Sequence, residues 1–577
     1  MKKTRVLALL LALAMLAGIF AACTDDSGTS GSSSAAGSSA TQSSPAESGS
    51  SESSPEDTGT DSDYSEPLSF TWYFNNDWET IHPWGQDKVS AFLKEKFNVD
   101  INFSRADADY NAKLNIMISS NELPDIIQMG RDANFLKMAG MGLLQSLDPL
   151  REKNPEFDTY VRESTRDLLR VDGELYTIPT WARANSATGG NLSWMYNKKT
   201  YEAAGSPDLS TFEGLYEYAK KAKEIGETED GLSIIPFSAS TDTPNGESII
   251  NGFHRSLGAP SAIYSWYAPV DGKLTNVFYD DQYWRPAVME ANKWFREGLI
   301  AETSFSDTRD QLVEKQAAGR IALMYYDFSL DDVTHFRQIL KETDPDDDYV
   351  VLTDPAFPPA GGIDPEKVYG EFKLTSSGDG INFTTKCENP QRIFDMCTYL
   401  MTQEGASLQM YGPKGDMLWD ETDADGNPIL KKAEGSLTED ERNQLGLWFW
   451  MIPGHADSVD ETKFAVNAAL PEEDRSFVVN YQANVFTPLN FLSDEFFGLR
   501  DTIDPTENLG IQRQTCEDQI SAQLPKIIMA STEEEATKLY DELVDFLKQN
   551  GMDDVVAKYD EKYQQNVEIQ GFTAYDR

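Results

Sequence analysis

Leu68-Ser69-Phe70-Thr71-Trp72-Tyr73-Phe74 sets Phe70, Trp72 and Phe74 at every second position, the alternation of a strand. Val89, Phe92, Leu93 and Phe97 then recur at helical spacing. Val99, Ile101 and Phe103 alternate again, Leu114 and Ile118 mark a second helix, Pro124 interrupts, and Asp125-Ile126-Ile127-Gln128-Met129 reads as a buried strand. Strand, helix, strand, helix, strand in one short stretch predicts a parallel sheet with helices on both faces, an α/β fold.

Downstream, Ser210-Thr211-Phe212-Glu213 predicts a capping box opening a helix with Phe212, Leu215, Tyr216, Ala219 and Ala222 along its apolar stripe. Strand-like runs follow at Ser233 to Phe237 and Ile321 to Tyr326. The last strong helix starts near Thr532 and stops at Asn550-Gly551. Asp423-Ala424-Asp425-Gly426-Asn427-Pro428 spaces oxygen ligands like a calcium loop, but Lys432 stands where the bidentate acid belongs, so a hairpin turn is expected.

Upstream, Lys2, Lys3 and Arg5 precede an apolar run from Val6 to Ala22 that ends at Cys23. That run suits a signal peptide better than a spanning helix. Leu16-Ala17-Gly18-Ile19-Phe20-Ala21-Ala22-Cys23 resembles a bacterial lipobox, with Phe20 where Leu, Val or Ile is usual. The resemblance implies cleavage before Cys23 and lipidation of its sulfur; an ordinary signal peptide or an uncleaved anchor are the alternatives. Thr24 to Pro67, rich in Ser, Gly, Ala, Thr and acids, cannot bury enough surface to offset its ordering entropy and reads as a tether of 44 residues. As a flexible coil it would span roughly 35 to 40 Å.

The formal charge is −47; the leader contributes +3 and the tether −9, leaving −41 on the folded part. Such a surface repels nucleic acid and offers no basic patch to anionic lipid. No stretch after Cys23 reaches spanning length. Cys387, Cys397 and Cys516 form no CxxC pair and no metal spacing, so structural thiols are expected, with a Cys387–Cys397 disulfide as the weaker alternative.

No HExxH, GxSxG, P-loop or dinucleotide fingerprint occurs, and His82, His254, His335 and His455 lie far apart. Catalytic residues, cofactor and metal are therefore expected to be absent. Aromatics beside amides and acids are more informative. In an open α/β sheet, ligands sit outside the carboxyl ends of strands, where Asn75, Asp77, Trp78 and Trp84 fall after the first strand and Arg131 and Asp132 after the strand ending at Met129. Flat rings stack on sugar faces while Asp and Asn bind hydroxyls; Trp72 and Phe74 read as core.

Ser120-Asn121-Glu122-Leu123-Pro124-Asp125-Ile126-Ile127, Gly142-Leu143-Leu144-Gln145-Ser146-Leu147-Asp148-Pro149-Leu150 and Asp172-Gly173-Glu174-Leu175-Tyr176-Thr177-Ile178-Pro179 resemble, in order, segments of extracellular solute-binding proteins of sugar-importing ABC transporters. Tyr196-Asn197-Lys198-Lys199 with Ala204-Gly205, and Gly319-Arg320-Ile321-Ala322-Leu323-Met324, resemble further segments. Cys387-Glu388-Asn389-Pro390, Tyr411-Gly412-Pro413-Lys414-Gly415 and Phe546-Leu547-Lys548-Gln549-Asn550-Gly551 are similar to a subgroup of large lipoprotein binders that includes oligosaccharide- and alginate-binding proteins. Some members of that subgroup carry a calcium loop; the stretch Gly226 to Ser233 is shorter here.

The resemblance implies a two-lobed periplasmic-binding-protein-like fold with hinge strands and a ligand cleft, lobe 1 spanning about 68–180 and 376–435 and lobe 2 about 181–375 and 436–577. Crossings are expected near Ile178 to Arg183, near Phe372 to Phe383, and after Asp416. It implies Trp181 and Arg183 at the first crossing and Tyr325, Tyr326 and Asp327 at a strand end of the second lobe as ligand contacts; Trp450, with Trp448, is a further candidate, since alternating Trp-Phe-Trp reads equally well as strand core. The implied function is capture of a carbohydrate, an oligosaccharide, by a monomer on the outer face of the cytoplasmic membrane, lipid-anchored, and delivery to ABC-transporter permease subunits. A surface-anchored hydrolase or lyase, or a binder of a non-sugar solute such as a peptide, is the alternative.

Overall fold

The alternation that opens the folded region is realised as a parallel ladder. The computed structural model describes residues 64–573 apart from 77–79, 107–108, 191, 240–244, 261, 263–265, 327–329, 448–452 and 572. The leader, Cys23 and the tether as far as residue 63 lie outside them. Leu68–Phe74 pairs along its length with Val99–Arg105 and, from Trp72 onward, with Ile126–Gly130. Two further strands complete the sheet: Asp379–Phe383 runs antiparallel beside Ile126–Gly130, and Thr177–Pro179 beyond it runs antiparallel to Asp379–Phe383, hence parallel to the first three. The sheet is thus mixed, where a parallel one is expected from sequence.

Side chains alternate along a strand. Phe70, Trp72 and Phe74 therefore enter one core with Leu93, Phe97, Phe103 and Phe394, while Tyr73, Ile127 and Met129 enter another with Leu114, Ile118 and Phe135. Asp87 and Asp109 cap the intervening helices Lys88–Phe97 and Tyr110–Ser120, accepting from the backbone N–H of Ser90 (2.8 Å) and Ala112 (2.9 Å). The first described residue is clasped at the start of this sheet. Tyr64 Oη donates to Asp395 Oδ2 (3.1 Å), its ring meets Phe97 (5.7 Å) and Arg392 (5.0 Å), and its carbonyl accepts from Asn98 Nδ2 (2.9 Å).

A second sheet runs Tyr349–Val351, Ser193–Asn197, Ile321–Tyr326, Ile235–Ala239. Each sheet with its helices forms one lobe. The helix Phe212–Ile225 packs Phe212, Leu215, Tyr218, Ala219 and Ala222 inward. Its cap is Thr211, and Glu213 accepts from Gly361 N–H (2.8 Å) instead of closing the expected box. After Glu533–Gln549 the chain turns at Gly551 (φ 89°) and forms one more helix, Met552–Gln570, buried through Val555, Tyr559 and Tyr563, which the sequence reading does not anticipate. Trp419–Thr422 and Pro428–Leu430 pair as the expected hairpin, with Asp423 Oδ1 accepting from the N–H of Asp425 and Asn427 at 2.9 and 2.8 Å. All three described cysteines are free thiols, buried in the interior.

Short strands meet where the chain passes between the sheets. Trp181–Ala182 pairs in parallel with Gly454–His455, Ala182 bridges Ser376, and Phe372–Lys373 pairs with Phe491–Leu492. The helix Ala456–Ala469 still packs on the first lobe, with Val459 and Val466 against Ala406, Met410 and Trp419. The segment from Phe477 to Phe486 packs on the second, through Phe477, Tyr481 and Phe486, whereas Phe497 returns to the first lobe's core. Asp494, wholly buried, accepts from Thr375 N–H (2.8 Å), Thr375 Oγ1 (2.7 Å) and Arg162 Nη2 (2.6 Å), and Thr165 Oγ1 donates to Thr375 Oγ1 (2.6 Å). Asp494→Ala strands these donors, so urea unfolding should show a loss of about 3 kcal/mol; a loss within error of zero would show that the junction is held by packing instead.

Candidate functional site

The first two parallel partners end side by side, and one further bond, Asn75 N–H to the Gln128 carbonyl (2.8 Å), carries the ladder past Phe74. Beyond it lies a mainly polar cavity of about 240 Å³, lined by Asn75, Asn76, Tyr110, Gln128, Met129, Gly130, Asp132 and Asp379. This is the crevice outside strand carboxyl ends where open α/β sheets take ligands. Asn75 and Gln128 are only 7% and 4% exposed, yet Asn75 Oδ1 and Gln128 Oε1 have no hydrogen-bond partner among the described residues. An unmatched buried amide costs about 1–3 kcal/mol. Two side by side on adjacent strands mark a surface built for something to be held.

Asp132 also caps the helix Ala133–Gly140, accepting from the N–H of Asn134 (2.8 Å) and Phe135 (3.1 Å). Burial nevertheless keeps its carboxyl above the ordinary range. Asp379 is exposed at the mouth; partial desolvation and then the charge of Asp132 push its carboxyl up. Arg131, one residue along, turns away from the cavity. Its guanidinium lies between the rings of Phe135 (5.1 Å) and Phe497 (5.4 Å), where burial lowers its basicity against the pull of Asp501. Burial in turn lifts Asp501 to about 6, with Arg131 opposing.

The other expected contacts are placed as follows. Trp84, 8% exposed, donates Nε1–H to the Val99 carbonyl (3.1 Å) and meets Phe103 edge-on at 5.7 Å. Its ring and its N–H are both spent in the core, which corrects the expectation of a stacking surface. Tyr325 and Tyr326 occupy an inner strand of the second sheet and point into its two cores. Tyr325 packs edge-on to Trp194 at 5.3 Å beneath Gly252, where a Cβ would come within 2.8 Å of the ring, and Tyr326 Oη donates to Asp332 Oδ2 (3.1 Å). Neither tyrosine, buried in this way, has an open face.

Trp181 is half-buried over Gly454, its backbone N–H donating to Ser377 Oγ (3.1 Å). Arg183 Nη1 donates to the Leu374 carbonyl (3.4 Å); burial lowers its basicity, opposed by Asp460, Asp457, Glu371 and Asp494. These two residues belong to the junction between the lobes. Asp77, Trp78, Asp327 and Trp450, with Trp448, lie outside the described residues.

Two sheets, passages between them and a polar crevice at one sheet's edge form the frame on which the comparisons bear. The family profile described as bacterial extracellular solute-binding protein matches residues 79–406. The chain belongs to this family. A search of curated protein sequences finds no match to this solute-binding protein. Solved structures of similar fold include an HMO binding ABC-transporter associated solute-binding protein from Bifidobacterium longum infantis, with 17% identity and a TM-score of 0.61 over 88% of this chain and 100% of that one. The ABC-transporter substrate-binding protein FusA of Streptococcus pneumoniae in complex with kestose gives 16% and 0.61, over 86% and 99%. Alginate-binding protein AlgQ2 without calcium ion gives 15% and 0.59, over 86% and 98%. At these identities the likeness is one of fold.

Among the described residues of this solute-binding protein no group of three or more His, Cys, Asp or Glu is set to hold a metal. The Gly226–Ser233 stretch closes on itself, with a Glu227–Ser233 bridge and Thr228 N–H on the Leu232 carbonyl (2.8 Å). Gln128 and Asp379 are cavity residues that sequence reasoning missed. Gln128 was signalled as the one amide inside an apolar strand. Asp379 reaches the site only because it pairs with Gly130 across the sheet, which no local pattern announces.

Gln128→Met keeps the volume and removes the unmatched amide. Thermal unfolding of this variant should be unchanged or raised, while the solute co-purifying with it, measured by mass spectrometry, should fall at least about tenfold. Lowered stability with solute retained would mean that Gln128 serves only the fold.

Proposed function

We propose that this solute-binding protein captures an oligosaccharide outside the cell and passes it to the permease of an ABC transporter. The cavity carries the reading. Two unmatched amides and two carboxylates at a strand end suit sugar hydroxyls, each of which donates and accepts. Its volume lies below the roughly 300–1,000 Å³ of pockets that enclose a whole small ligand, consistent with one ring of a longer chain held in one lobe's share of a cleft. The names of similar structures add support, since they describe proteins bound to kestose, binding HMO or binding alginate.

Closure would turn on the short strands between the lobes. We assign 68–180 and 376–469 to one lobe and 181–375 and 470–573 to the other, because Val459 and Val466 pack with Met410 and Trp419. In this reading the protein acts as a monomer, with no catalytic turnover, cofactor or required metal. A purified sample screened on a glycan array, followed by calorimetry on the best binder, should give one-to-one saturation and unaltered glycan. Cleaved product would make it an enzyme, and saturation by a peptide instead would make it a binder of another class.

We further propose that Cys23 becomes the lipidated N-terminus, holding the protein at the outer face of the cytoplasmic membrane, since a binder that feeds a permease loses captured ligand to diffusion unless it is held nearby. Among the described residues no helix is long and apolar enough to cross a membrane. Cys23→Ala should release the protein into the medium. Retention of the variant in the membrane fraction would point to an uncleaved leader.

A further inference from the structure

The lining of the cavity bears on which sugar can enter it. Among the described residues that line it, the carboxylates are Asp132 and Asp379, and none is Lys, Arg or His. Three nearby features that could offset their charge are committed elsewhere. Arg131 is held between Phe135 and Phe497. Lys113 Nζ donates to the Arg105 carbonyl (2.8 Å) and lies over the Tyr73 ring at 5.1 Å. The positive end of the helix Ala133–Gly140 is met by Asp132 itself. The carboxylate of Asp379 accepts no hydrogen bond from any described residue, and it faces bare backbone at Gly130, where a Cβ would lie 3.3 Å from Oδ1. The two carboxylates are close enough for Asp132 to raise the carboxyl of Asp379.

We propose that this pocket is a subsite for a sugar unit without acidic groups, neutral or amine-bearing, and that Asp379 is the residue that excludes uronates. The inference rests on the carbohydrate reading above. A hydroxyl or ammonium can donate to the waiting carboxylate, while Asn75 and Gln128 accept or donate to the neighbouring hydroxyls. A uronate would bring a third negative charge beside two carboxylates at the cavity mouth, where no described lining residue is a cation to meet it. The amides cannot compensate, because they carry no net charge.

The test uses purified full-length protein and a glycan array in which each backbone appears in neutral, amine-bearing and uronate-bearing forms, with Kd then measured by calorimetry for the best-bound backbone in all three forms. Neutral or amine-bearing forms should bind at least about tenfold more tightly than the uronate form. Asp379→Asn should shrink that ratio severalfold, and Asp379→Glu, which keeps the charge, should preserve it. A uronate form that binds as tightly as the others overturns the exclusion while leaving the carbohydrate reading intact. So does a ratio that Asp379→Asn leaves unchanged while both variants melt as the parent does. Failure of every glycan to bind, with the protein folded, removes the carbohydrate reading and the subsite with it.

Discussion

Asp494 is a carboxylate taken wholly out of water and met by donors from two separate segments, Thr375 in one passage between the lobes and Arg162 in the first lobe. A charge in that position is tolerable only when its lone pairs are filled. The pairing therefore fixes where Phe491–Leu492 and Phe372–Lys373 lie, and with them the approach of Asp379–Phe383 into the first sheet. Since Asp379 enters the cavity through that strand, the junction sets the geometry of the crevice from a distance. Arg183, just beyond Trp181–Ala182, is a second buried cation at the junction, its basicity lowered by burial and held up by the charges of Asp460, Asp457, Glu371 and Asp494.

One strand end does three different jobs within five residues. Gln128 is left unmatched at the cavity, Arg131 leans out between aromatic rings, and Asp132 spends part of its carboxylate on a helix end. The cost of the unmatched amides is borne by the deep aromatic packing beneath them, where Trp72, Phe74 and Phe103 lie within 5.5 to 6.3 Å of one another. Stability given up at a site and recovered in a core is the usual arrangement in a binding protein.

The β-α-β-α-β start was legible because each element carries its own periodicity and neighbours in sequence are neighbours in the sheet. Asn75 and Asp132 could be placed beside the cavity by the same logic. Thr177–Pro179 and Asp379–Phe383 could not, being short strands whose partners lie far away along the chain. Trp84 misled because an indole after a strand looks the same in sequence whether it faces a cleft or donates to a carbonyl such as that of Val99. Tyr325 and Tyr326 misled similarly, since a strand flanked on both sides sends consecutive rings into two cores. The cap at Thr211 shows the same limit on a smaller scale, because Glu213 found a partner at Gly361, on a distant segment.

The clasp around Tyr64 has a mechanical meaning. Whatever pulls on the chain from its N-terminal side must first break the phenol's bond to Asp395, strip its ring from Phe97 and Arg392, and free its carbonyl from Asn98. Only then can tension reach Leu68, the near end of the strand whose far end carries Asn75. Force is thereby diverted into the helix Pro390–Met401 and the turn at Asn98, and the crevice is shielded from tugging at the chain's start.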